Sequence, residues 1–189
     1  MRRKEIDYYD EIAKEFVKLL KANIGGDSYR IKPLIGEVSS GLRTLIVNGY
    51  PAFEKLLKYS REVHKLHLDI SIIVENIDTG KFEVIILEVK KVKNLGLNQL
   101  SQLIGYCLVS KSKFGILLNI NNSVSSEFSI ILDSDKDLTK IIRIIDEEKL
   151  EHQIGVMVWN SNTQSFEYTR AGAIPTIPRL VNLLQTELS

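Results

Sequence analysis

Residues 66–92 read LHLDISIIVENIDTGKFEVIILEVKKV, and this stretch decides the fold. Two runs rich in Ile and Val, 66–76 and 81–92, flank the turn-forming Asp78, Thr79 and Gly80, which predicts a long β-hairpin. Three polar residues stand where apolar ones are expected. Asp69 interrupts Leu66, Leu68, Ile70 and Ile72, and Glu88 and Lys90 follow Val84, Ile85, Ile86 and Leu87. Side chains alternate along a strand, so Glu88 and Lys90 share a face. A two-residue loop at 78–79 or a four-residue loop at 77–80 sets Asp69 opposite Glu88, and a two-residue loop at 79–80 sets it opposite Lys90. Each of these registers gathers all three on one face, with directly opposed Cβ atoms about 5 Å apart. A three-residue loop without a bulge breaks the arrangement, because a one-residue slip turns a whole strand over.

Two carboxylates held side by side repel each other and are costly to desolvate, unless a cation lies between them. Two hard oxygen ligands that leave room for water and a phosphate suit Mg²⁺ or Mn²⁺. A lysine beside them adds a point charge next to the attacking water and the scissile phosphate. That chemistry is phosphodiester hydrolysis. The plain alternative is a cross-strand ion pair at a sheet end, which needs no metal.

Outward from the hairpin, Tyr8, Tyr9, Ile12, Phe16, Leu19 and Leu20 recur at helical spacing over 5–23, closed by Gly25 and Gly26. Strands are expected over 29–38 and 42–48, and a helix over 52–64 behind Pro51. A helix over 96–110 follows the hairpin, then strands at 114–120 and 127–132 and a helix at 135–150. A second hairpin, 154–159 with 165–169, and a short helix over 178–188 complete the chain. This mixed order fits an α/β sandwich, a central mixed β-sheet flanked by helices. In the helix after the hairpin, Gln99, Gln102 and Tyr106 share one face, while Leu97, Leu100, Ile104 and Leu108 are read as the core face.

In order and spacing, Asp69, then Glu88-Val89-Lys90, then Gln102 to Tyr106, the chain resembles the D…ExK…QhxxY series of RecB-like nucleases in the PD-(D/E)xK superfamily. Archaeal Holliday-junction resolvases share that fold. The resemblance implies a restriction-endonuclease-like core of helix, three-stranded meander, helix and strand over about 5–120, with 121–189 as an elaboration of a single nuclease domain. It implies metal binding by Asp69 and Glu88, with the Val89 carbonyl as a further ligand, and Lys90 as the catalytic lysine. Gln102 and Tyr106 would support the site or touch the DNA backbone. Many members add an acid from the first helix, for which Glu15 is the choice and Glu11 and Glu37 the rivals. Leu68 stands where the superfamily name has proline. His64 or His67 could take the place of the histidine found upstream in RecB-like members, although a structural role fits either better. A catalytically silent nucleic-acid-binding protein of the same fold is the competing function.

Composition sets the remaining bounds. Hydrophobic residues make up 44% of the 189 and charged residues 26%, enough for a sizeable core. The single cysteine, Cys107, excludes a disulfide framework or a zinc ribbon; it reads as a packed thiol and suits a reducing cytoplasm. No signal peptide or membrane span is expected. The formal net charge is only +1, so contact with DNA requires a local patch, for which Arg2, Arg3, Lys4, Lys91, Lys93, Lys111 and Lys113 are the candidates. Trp159, Phe166 and Tyr168 are read as core or cross-strand pairs, with base stacking or a homodimer surface as the alternative. The abundance of Ile and Lys points to an AT-rich or thermophilic source, archaeal or viral.

Overall fold

The first helix shows how the core is built. Tyr9, Ile12, Ala13, Phe16, Leu20 and Ile24 lie on one stripe of α1 (Tyr9–Ile24) and are all buried. Gly25, at φ 69°, turns the chain out of the helix in a conformation that side chains with a Cβ resist. The computed structural model describes residues 3–56, 68–145 and 147–189. A 3-10 turn (Glu5–Tyr8) leads into α1.

Seven strands form one mixed sheet: β1 (Tyr29–Ile35), β2 (Ile70–Asn76), β3 (Lys81–Lys90), β4 (Phe114–Ile120), β5 (Lys140–Ile145), β6 (Glu148–Asn160) and β7 (Ser165–Gly172). The order is β1-β2-β3-β4-β6-β5, with β7 also on β6. The meander β1-β2-β3 is antiparallel, β4 runs parallel to β3 and β6 parallel to β4. Parallel neighbours need a crossover, and α3 (Leu97–Ser110) supplies the one between β3 and β4. The other α-helices among the described residues are α2 (Val38–Val47), α4 (Ser126–Ser134) and α5 (Ile177–Leu188). On one face α1 and α5 cover Ile72, Ile85, Leu87, Ile116 and Trp159; on the other, α2, α3 and α4 cover Ile73, Ile86, Leu117 and Val156. This is the α/β, restriction-endonuclease-like architecture. Among the described residues no helix is long and apolar enough to cross a membrane.

Several elements differ from expectation. Residues 42–48 are not a strand but lie largely in α2, because Val38, Leu42, Leu45 and Ile46 repeat at helical spacing and pack against the sheet. The segment 127–132 is helical as well: Ser125 accepts a hydrogen bond from the Phe128 amide at 3.1 Å and caps α4. Conversely, the helix expected over 135–150 is a 3-10 turn (Lys136–Thr139) followed by β5 and the start of β6. The β-branched Ile141, Ile142 and Ile144 suit the edge that the long β6 offers. Of the helix expected over 52–64, the described part is a 3-10 turn, Pro51–Leu56; the rest, with His64 and His67, lies outside the described residues, as does Arg2.

Two glycines test this packing. A Cβ on Gly155 would stand 2.7 Å from the Ile174 carbonyl oxygen and 2.9 Å from Ile116 Cδ1, so Gly155→Ala is expected to cost roughly 1–3 kcal/mol. Gly105, inside α3, has nothing within 4 Å, and Gly105→Ala should stabilise by about 0.5–1 kcal/mol. Urea unfolding midpoints of the two variants should therefore move in opposite directions.

Candidate active site

The site begins at the hairpin turn. Asn76 pairs with Lys81, and a four-residue turn joins them. Asn76 Oδ1 accepts from the amides of Asp78 at 3.0 Å and Thr79 at 3.4 Å, and Gly80, at φ 65°, donates its N–H to the Asn76 carbonyl at 2.8 Å. Of the registers left open by the sequence, this is the four-residue one. The ladder ends at Ile70 and Leu87, so the next position sets Asp69 level with Glu88.

Past Ile70 the main-chain ladder stops while β3 continues, leaving amides that β2 no longer satisfies. Two carboxylates take them. Asp69 Oδ2 accepts from the Val89 N–H at 2.8 Å, and Glu5 Oε2 accepts from the Lys91 N–H at 2.7 Å. The Tyr9 hydroxyl donates to Asp69 Oδ1 at 2.6 Å and lies 3.3 Å from Glu5 Oε1. It has one hydrogen to give, and the shorter contact holds it. Burial, reinforced by the hydrogen bond to Asp69, pushes the Tyr9 pKa far above the usual phenol range, so Tyr9 remains a donor.

Glu88 is 1% exposed and forms an ion pair with Lys90. Its Oε2 is buried and has no hydrogen-bond partner among the described residues. Burial raises the Glu88 carboxyl to about 7; Lys90 opposes that rise, while nearby Asp69 and Glu5 add to it. Burial works against the charge on Lys90 too, but Glu88, Asp69 and Glu5 outweigh it and hold the ammonium above its ordinary pKa. Asp69, Glu88 and Lys90 are thus brought together, as the sequence predicts.

The donor set fits a hard divalent cation. Glu88 Oε2 is an acceptor lacking a partner in a place where water is largely excluded, and Asp69 keeps a second lone pair on each oxygen. Among the described residues no group of three His, Cys, Asp or Glu side chains is ready to hold a metal, so an ion here rests on two carboxylates and completes its shell from water, substrate or main chain.

The acid that the N-terminal segment brings to the cluster is Glu5, which the sequence reading passed over. Glu15 pairs with Lys18 at 2.9 Å, Glu11 with Arg3 at 2.8 Å, and Glu37 accepts from its neighbour Ser39 at 2.6 Å. The available signal was Tyr9: a tyrosine on the apolar stripe needs a polar partner for its hydroxyl. Gln102 donates to the Tyr106 hydroxyl at 2.8 Å on α3, so these two do act as a unit. Gln99 does not join them, because its side chain accepts from the Gly96 amide at 3.0 Å and caps the helix. The core face of α3 is Leu100, Leu103 and Cys107, while Leu97 is 45% exposed. Burial pushes the Cys107 thiol up to about 12, that of a packed, unreactive group.

The expected basic patch divides. Arg3 and Lys91 lie against the Tyr8 ring, 4.0 and 4.8 Å from its centroid. Lys113 sits level with Val84, toward the opposite end of β3 from Lys90, and bonds Glu83 and Glu187. Trp159 and Phe166 are core residues with ring centroids 4.9 Å apart.

Against known proteins, the model of the PD-(D/E)XK nuclease superfamily matches residues 56–131, a stretch that includes Asp69, the Glu88-Val89-Lys90 strand end and all of α3. No curated protein and no solved structure matches. The matched stretch, which contains β2, β3, β4 and α3, is thus similar to the PD-(D/E)XK nuclease superfamily.

The raised Glu88 carboxyl has a measurable consequence in metal-free buffer. Its folded pKa of about 7 lies above the ordinary 4.5, so as pH rises between these values the unfolded chain releases a proton that the folded chain keeps. This group's contribution to stability is full below the lower value and declines toward the upper one. The urea midpoint of the wild type should fall more over that interval than that of Glu88→Gln; parallel curves would show that Glu88 ionises normally.

Proposed function

We propose that this protein is a divalent-metal-dependent deoxyribonuclease that hydrolyses DNA phosphodiester bonds, with Mg²⁺ or Mn²⁺ held by Asp69 and Glu88. The observation that carries this reading is the buried, unpartnered Oε2 of Glu88 beside a second carboxylate and a lysine. When bound, the ion supplies polarisation of the phosphoryl oxygen and a more acidic attacking water. Glu88 and Asp69 provide the anionic cradle, and the carbonyl of Val89 is a further ligand in this reading. Lys90 places its ammonium beside the scissile phosphate, where it stabilises the charge that develops. Tyr9 and the Val89 amide fix the Asp69 carboxylate, and Glu5 takes the part first assigned to Glu15. The Gln102–Tyr106 pair on α3 steadies the substrate backbone.

Within this class the protein acts as a RecB-like exo- or endonuclease or as a junction resolvase. A resolvase cuts two strands symmetrically and would be a homodimer. A single buried thiol fits a cytoplasmic setting. One observation favours the runner-up, a silent DNA-binding protein: both Asp69 oxygens already have partners within the chain, and Lys90 already rests on Glu88.

Labelled duplex, single-stranded and four-way-junction DNA, incubated with Mg²⁺, Mn²⁺ or EDTA, separates these readings. Cleavage is expected only with metal and should drop at least ~10²-fold in Asp69→Asn, Glu88→Ala and Lys90→Ala. Binding without cleavage under every condition would establish the silent protein instead. Removing the Tyr9 hydroxyl tests the support of Asp69. Tyr9→Phe should weaken calorimetric Mn²⁺ binding roughly tenfold or more, in keeping with a hydrogen bond to a charged group worth about 1.5–3 kcal/mol. Unchanged binding would mean that Asp69 is held well enough without it.

A further inference from the structure

The exposed edge of β1 carries a second basic feature that the site does not use. Lys32 donates to the Tyr50 hydroxyl at 2.7 Å, with its ammonium 4.0 Å from the ring centroid. The Arg30 guanidinium carbon lies 5.3 Å from the same centroid. Tyr50 is held in place by stacking on Phe53, at 5.9 Å and 19° between planes, and Phe53 is fully buried against Phe82. Arg30 pairs with Glu75 at 2.6 Å, but Lys32 has no carboxylate partner among the described residues. Two of the three lysine donors therefore remain available. The Tyr50 hydroxyl accepts from Lys32, which leaves its own hydrogen to give. Lys32, with help from Arg30 and Lys21, draws the Tyr50 pKa below its ordinary value, so that hydrogen is a better donor than a free phenol's.

We propose that Lys32, Tyr50 and Arg30 form a phosphate anchor that holds the nucleic-acid backbone to one side of the cleavage site. Three observations support this. The cluster concentrates positive charge on a chain whose formal net charge is only +1. Arg30 and Lys32 alternate with Leu34 on the face that α2 and α3 cover, and Glu88 and Lys90 have the parity of Ile86 on that same face. Finally, Lys32 stands opposite Ile73, four residues before Gly36, whose amide donates to the Asp69 carbonyl. At ~3.3 Å per residue the anchor is about 13 Å from Asp69. A fixed hydroxyl donor beside an ammonium with two further hydrogens offers several donors to the two non-bridging oxygens of a phosphodiester.

This inference rests on the nuclease reading, and the experiment tells the two apart. Binding of a short fluorescein-labelled DNA duplex is followed by anisotropy in EDTA over a series of salt concentrations. The proteins are the wild type, Lys32→Gln, Tyr50→Phe and the control Lys140→Gln on the far edge of the sheet. Lys32→Gln should bind roughly threefold to tenfold more weakly at low salt, with a slope of log affinity against log salt shallower by about 0.9. Tyr50→Phe should weaken binding with the slope unchanged, and Lys140→Gln should match the wild type. If Lys32→Gln and Tyr50→Phe keep wild-type affinity and slope while the wild type cuts DNA with Mg²⁺, the anchor is overturned and the nuclease stands. If the wild type neither binds nor cuts DNA, both are overturned.

Discussion

The amide edge of β3 beyond Ile70 is the constraint on which the site depends. A strand that outruns its partner leaves N–H groups that must find acceptors, since a buried amide without one costs about 1–3 kcal/mol. Here the acceptors are carboxylates, Asp69 on Val89 and Glu5 on Lys91. The sheet therefore places the acids as a by-product of satisfying its own backbone. Acids so placed lie beside Glu88, whose burial makes its negative charge costly, and the cluster has a use for a cation. Structure and chemistry share the same groups at this end of the sheet.

The opposite end keeps that arrangement in register. Asn76 and Thr79 of the hairpin turn both donate to the Leu188 carbonyl at the end of α5, at 3.0 and 2.9 Å. Nearby, Lys113 joins Glu83 on β3 to Glu187 on α5. Since a slip of one residue would carry Glu88 and Lys90 to the α1–α5 face, contacts at the turn protect geometry at the far end of the strands. The C-terminal third is thus tied into the core that holds the site: β6 extends the parallel part of the sheet, and α5 lies against α1.

What was legible in the sequence followed the strength of the local pattern. The hairpin, α1, α3, β4 and α5 each had an unbroken period and a clear stop. The segment 42–48 misled because Leu, Ile and Val together look like a strand, and the helical repeat shows only when Val38 is included. Residues 140–145 misled in the opposite sense, since Ile and Arg fit a helix until an open strand edge is known to lie beside them. Asp69, Glu88 and Lys90 could be read because they break apolar runs. Glu5 could not be read the same way. It breaks no run, its link to Lys91 spans 86 positions, and only the unexplained hydroxyl of Tyr9 pointed to it.

That separation in sequence also bears on the order of assembly. The hairpin closes through neighbours in the chain, whereas the Tyr9–Asp69 and Glu5–Lys91 contacts join positions 60 and 86 apart. Long loops close late because their entropy cost must be met before their contacts form. The β2–β3 ribbon would form first, with its end amides still hydrated, and the docking of α1 would come afterwards and complete the acidic cluster. The repulsion of gathered carboxylates is in this way deferred until α1 docks, and the acidic cluster is complete only in a chain that has already folded.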